Sequence, residues 1–173
     1  MTTSCESRET TGRSFCYKLS CFAYCAAGVA VLARNEWLLS FAEPCCPTFP
    51  FRLLGLSVFV NGFTSYQADV LTFGENQSLW KLADVLLACT NVVFVSALAV
   101  LNVLGPMSFP AKATSAFVAG LIASLLCKVQ STRAQKVHDK AGFIFWHTLW
   151  HAFLPFGGVL MILTLPSSVQ TIH

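Results

Sequence analysis

The chain has 173 residues, of which 55% are hydrophobic and only 11% charged, with a net charge of +3 and a mean hydropathy of +0.63. A soluble domain carries about a quarter charged residues, so this composition excludes a surface covered by water. The small, scattered positive charge excludes nucleic acid as a partner. The length suits one domain, and the class indicated is an all-α, polytopic transmembrane helix bundle of four to five spans, with the lipid bilayer as its surroundings.

In chain order, residues 1–18 read as a polar N-terminal tail holding Arg8, Arg13 and Lys18. The apolar stretch 19–33 admits two readings, a short first transmembrane helix or a cleavable signal peptide, and the first is favoured. Four further stretches reach the roughly 20 apolar residues a spanning helix needs: residues 53–73, 82–104, 111–129 and 142–165. Gly74-Glu75-Asn76-Gln77, then Gly105-Pro106 through Pro110, then the polar run 130–140 separate them. Lipid offers no partner to open backbone, so each span is expected as a helix. Ala116, Gly120 and Ser124 recur every four residues, a small-residue face suited to close helix packing.

The eight cysteines do not form a metal or redox motif. Cys16, Cys21, Cys25, Cys89 and Cys127 lie in or beside apolar runs, where cysteine acts as a small hydrophobe. Cys5 lies in the tail, Cys45-Cys46 is flanked by prolines, and no C-x-x-C occurs. The Lys/Arg distribution sets an orientation. One side holds Arg8, Arg13, Lys18, Lys81, Lys128, Arg133, Lys136 and Lys140, and the other holds Arg34, Arg52 and Lys112. The basic side is expected to be cytoplasmic, giving N-in and C-out.

Ionisable groups inside a bilayer are costly and often mark function. Asp69, Asp84, His147 and His151 all fall toward the basic side, within one layer of the membrane. Asn61, Ser65 and Asp69 are spaced by four and form a stripe on one helix face. Asp84 and Asn91, seven apart, share a face of the next helix. His147 and His151 are four apart, a spacing at which two imidazoles on one helix can bind one metal. The same polar residues also suit plain helix–helix hydrogen bonding. Trp146, Trp150 and Phe145 beside the histidines suit an interfacial belt. His138 and Asp139 read as solvated loop residues, and His173 carries no weight.

Ser65-x3-Asp69, then Asp84 near the start of the next helix, then His147-x3-His151 near the start of the last, resembles the CREST superfamily. That group includes alkaline ceramidases and adiponectin-receptor-like proteins. Its members carry Ser-x3-His, an Asp on the following helix and His-x3-His on the last. The three histidines hold intramembrane zinc, and several members cleave the amide bond of ceramide. The stretch Leu79-Trp80-Lys81-Leu82-Ala83-Asp84 is similar to the aromatic-rich approach to the Asp helix in the receptor-like members. This chain differs in having fewer spans, and Asp69 stands where the family has its first zinc histidine.

The resemblance implies Zn²⁺ held by Asp69, His147 and His151, with Asp84 and Ser65 as catalytic partners and a lipid amide or ester as substrate. A non-enzymatic scaffold or subunit of a membrane-protein complex, and a transporter or proton relay, are the alternatives. Both good histidines sit on one helix and so cannot take opposite axial positions on a haem.

Overall fold

A computed structural model describes residues 15–42, 49–71, 79–104 and 109–165. Residues 1–14, the Cys45-Cys46 pair, residues 72–78 and 105–108, and His173 lie outside the described residues. The described chain is helical, without strands. Its elements are α1 (Phe15–Ala33), the short α2 (Asn35–Ala42), α3 (Phe51–Tyr66) running on into a π-helical segment (Gln67–Leu71), α4 (Leu79–Leu104), α5 (Ala111–Lys136) and α6 (Lys140–Thr164).

Helices α1, α4, α5 and α6 are long and apolar enough to cross a membrane. Helix α3 contributes 16 residues and its π continuation 5, together about 30 Å of rod at 1.5 Å per residue, which matches the hydrocarbon thickness of a bilayer. The chain is thus an all-α bundle of the kind that fits an integral membrane protein. The intrasegment hydrogen bonds of each helix satisfy the backbone where lipid cannot.

Packing follows the small residues. Helix α1 lies against α3 and α6, α5 pairs extensively with α6, and α4 rests mainly on α3. At Gly28 of α1, an added Cβ would stand 2.5 Å from the Phe59 amide nitrogen and 2.6 Å from the Gly55 carbonyl, so backbone meets backbone there. At Gly120, an added Cβ would fall 2.8 Å from the Cα of Gly157, and Ser124 Oγ donates to the Trp150 carbonyl at 3.1 Å. The Ala116–Gly120–Ser124 face is therefore the seam between α5 and α6.

The apolar core is concentrated toward one end of the bundle, where Leu38, Phe41, Phe51, Leu98 and Phe117 are buried. Helix α2 supplies Leu38 and Phe41 to it, an element the hydropathy reading passed over because it is too short to span. The other end carries Ser65, Asp69, Ser131, His147 and His151 among the buried polar groups.

Three helix boundaries differ from the sequence reading by enough to move a buried residue or a charge into a helix. Helix α1 begins at Phe15, so Tyr17 is not in a polar tail but is 1% exposed. Helix α4 begins at Leu79 instead of residue 82. Helix α5 does not stop at residue 129 but continues to Lys136. Helical hydrogen bonding does not need an apolar sequence, and Arg, Ala, Gln and Lys all favour helix. Ser131 and Ala134 are buried on the inner face of this extension. The chain then turns at His138, whose φ of 57° is left-handed, and Asp139 accepts a hydrogen bond from the Gly142 amide at 2.9 Å. Asp139 is thus the N-cap of α6.

Candidate metal centre

The cap at Asp139 fixes where α6 begins, and about two and three turns beyond it His147 and His151 share a face. That face points inward, leaving the two residues 5% and 3% exposed. Aromatic rings wall them in. Tyr17 lies 5.8 Å from the His147 ring and Phe143 4.9 Å from it, and Tyr24 meets His151 edge-on at 5.5 Å. Pro155, a turn further on, has no amide hydrogen to return to the His151 carbonyl. Trp150 is itself buried, with Lys128 Nζ 5.3 Å from the centre of its indole, so it is not part of an interfacial belt.

Asp69 comes from the opposite side, inside the π-helical turn at the end of α3. A π turn inserts one extra residue into a helix and re-aims the side chains beyond it, a feature frequent at functional sites. Asp69 is 2% exposed. Its Oδ2 lies 3.0 Å from His147 Nε2 and 3.4 Å from His151 Nε2, and the two Nε2 atoms are 2.9 Å apart. Three ligand-type atoms from two elements distant in sequence therefore converge on one point.

Two chemical states fit that triangle. Imidazole N–H groups can bridge the nitrogens to the carboxylate, or one cation can replace the protons. The separations suit the second as well. Ligand bonds of about 2.0–2.1 Å in a tetrahedral zinc site place neighbouring donors about 3.3 Å apart, and the observed distances straddle that value. Buried Asp69, His147 and His151 thus form a group able to hold a metal ion.

Around the triangle, Ser65 Oγ donates to Asp84 Oδ1, and Lys81 Nζ donates to Asp69 Oδ1 at 3.0 Å. Asp84 is partly buried on α4 and Ser65 is 1% exposed. Ser131 Oγ lies 3.4 Å from His147 Nδ1. His151 Nδ1 has no hydrogen-bond partner among the described residues. Metal-bound histidines normally donate through the second nitrogen, so His147 is the better oriented of the pair.

All five residues singled out in the sequence gather at this end of the bundle, whereas His138 is exposed at its rim. Sequence reasoning passed over four contributors. Tyr17 and Tyr24 had no motif to mark them. Lys81 was given no part in the site, entering only as a topology charge and within the Leu79–Asp84 stretch, although it sits three residues before Asp84, one turn away on the same helix. Ser131 lay in a stretch read as loop.

No protein-family model matches this chain, and no curated protein and no solved structure was found to be similar to it. The CREST resemblance therefore rests on the residue pattern alone.

Proposed function

We propose that this protein is a metal-dependent intramembrane hydrolase of a lipid amide or ester, with Zn²⁺ held by Asp69, His147 and His151. The observation that carries the reading is the buried convergence of those donors within 3.4 Å, beside a hydrogen-bonded Ser65–Asp84 pair. A bound Zn²⁺ would supply a hydroxide-like water near neutral pH and polarise a carbonyl oxygen. Asp84 is the group that orients such a water and accepts its proton. Ser65 fixes the Asp84 carboxylate through its hydroxyl, and on rotation that hydroxyl serves the developing oxyanion. Lys81 neutralises Asp69 and holds the carboxylate toward the histidines. The aromatic rings of Tyr17, Tyr24 and Phe143 keep bulk water off the imidazoles.

The orientation belongs to the same proposal. Lys18, Lys81, Arg133, Lys136 and Lys140 lie at the end of the helices that carries the site, so the site opens toward the cytoplasmic leaflet.

One observation favours a second reading, a non-enzymatic scaffold. Lys81 already gives Asp69 a partner, and the same contacts tie α3, α4 and α6 together without a metal. Metal analysis of detergent-purified protein separates the two. The hydrolase reading expects about one zinc per chain, lost in His147→Ala and kept in His138→Ala. Absence of stoichiometric metal from protein purified without chelator, or an unchanged content in His147→Ala, leaves the scaffold as the account.

A further inference from the structure

We infer that the groove where α1, α2 and α3 meet is a phosphate site held by Arg34 and Arg52. Its occupant is the headgroup of a phospholipid in the leaflet opposite the candidate metal centre. The groove has a volume of about 300 Å³, and its lining includes Leu32, Arg34, Asn35, Glu36, Trp37 and Arg52. Small-molecule pockets begin at roughly that size, so there is room for one polar headgroup. None of these residues belongs to the Asp69–His147–His151 group, and the inference does not depend on the metal reading.

The lining carries two guanidinium groups and one carboxylate, so its charge is positive. Arg34 lies over the Trp37 ring at 5.0 Å, and its guanidinium has no ion pair among the described residues. Stacking uses the flat face of a guanidinium and leaves its N–H edge free. Arg52 Nη2 donates to Glu36 Oε1 at 2.5 Å, and Asn35 Nδ2 donates to the same oxygen at 2.9 Å. The Glu36 carboxylate is thus drawn to the wall. Arg52 and Glu36 are about three-quarters exposed, so water screens their attraction and the pair gives way readily. A guanidinium has five N–H donors in a planar fork, and such forks bind phosphate oxygens two at a time.

The level of the groove identifies the occupant. Helix α1 has 19 residues, about 28 Å of rod at 1.5 Å per residue, close to the roughly 30 Å of a bilayer's hydrocarbon core. Arg34 directly follows its last residue. Arg52 stands at the start of α3, about 25 Å of helix before Asp69. Both guanidinium groups therefore lie at the headgroup level of the far leaflet, where every phospholipid presents a phosphate. Below Arg52 on the same face of α3, Leu56, Phe59 and Phe63 are exposed, and they give the acyl chains a path along the helix. Leu32, also exposed, brings that apolar surface up to the groove wall.

Binding is measured by native mass spectrometry of full-length protein in detergent, stripped with chelator so that metal chemistry plays no part. The probes are a short-chain phosphatidic acid, the diacylglycerol with the same chains, and inorganic phosphate. The two lipids differ only in the phosphate, and the free ion separates a headgroup from phosphate in solution.

One phosphatidic acid per chain is expected to bind, and the diacylglycerol to remain unbound at the same concentration. Arg34→Gln and Arg52→Gln are each expected to weaken binding about tenfold, the ratio that corresponds to about 1.4 kcal/mol. Both residues are exposed, so the variants keep the fold, which thermal unfolding checks. Lys112→Gln removes an equal charge at the same end of the bundle, near the start of α5, and is expected to leave binding unchanged. An equal loss in Lys112→Gln reduces the site to general attraction between charges and overturns the inference. Binding that survives both arginine substitutions together overturns it as well, as does a diacylglycerol that binds as tightly as the phosphatidic acid. Displacement of the lipid by inorganic phosphate at equal concentration assigns the groove to the free ion and overturns the phospholipid as its occupant.

Discussion

Asp69→Asn separates a metal ligand from a structural carboxylate, because it keeps the side-chain shape and removes the charge. Without metal, Asp69 accepts from Lys81 at 3.0 Å and faces His147 at 3.0 Å and His151 at 3.4 Å. The Lys81 side chain is 46% exposed, so its ion pair is screened and worth under about 1 kcal/mol. A hydrogen bond to a charged acceptor contributes about 1.5–3 kcal/mol and a neutral one about 0.5–1.5. The substitution therefore lowers the stability of metal-free protein by about 2 kcal/mol. With zinc at a hundred times its dissociation constant, binding adds about 2.7 kcal/mol to the native state. That increment is expected in the unaltered protein and missing in Asp69→Asn. The assay is denaturant unfolding in detergent followed by tryptophan fluorescence, with and without zinc. A full zinc-dependent increment in Asp69→Asn refutes the carboxylate as a ligand. No increment in either protein refutes the metal site as a whole.

Other expectations are simpler to state. Protons compete with metal for imidazole and carboxylate, so zinc content measured after dialysis is expected to fall as the medium is acidified; a content independent of pH would place the metal elsewhere. Gly28→Leu drives a side chain into the Phe59 and Gly55 backbone and is expected to abolish folding, whereas Gly158→Ala, with open space around it, changes thermal stability little. Single-cysteine labelling at residues 133 and 136 is expected only from the cytoplasmic side, and labelling from outside would reverse the orientation.

Hydropathy was enough to read the spanning helices because lipid imposes a length and an apolar composition on each. The i, i+4 spacing of His147 with His151 was enough to place that pair on one helix face, since that periodicity is fixed by 3.6 residues per turn, whereas the same rule does not carry across Ser65 to Asp69, which sits in the π turn. What escaped was whatever depends on how helices meet. Lys81 reads as an anchoring charge until α4 is set beside Asp69. Tyr17 reads as part of a polar tail until α1 is found packed between α3 and α6. Residues 130–136 read as a loop because polarity was taken for irregularity. The π turn leaves no mark in the sequence at all, because Gln67–Leu71 would serve equally well in an ordinary helix.

That π turn gives the site an adjustment of its own. The α1–α3 contact at Gly28 and at Gly62, where an added Cβ would lie 2.6 Å from Cys25 Sγ, leaves α3 no freedom to rotate as a rod. The surplus residue at the end of α3 acts like a washer between that fixed rod and the carboxylate it carries. Removing Gln67 or Ala68 would return the segment to α-helical winding and change the angular position of Asp69 within that turn. Asp69 would be carried off the histidines while the α1–α3 seam stayed as it is. Folding and ligand geometry in this bundle are thus set by separate stretches of one helix, and the second can drift in evolution without loss of the first.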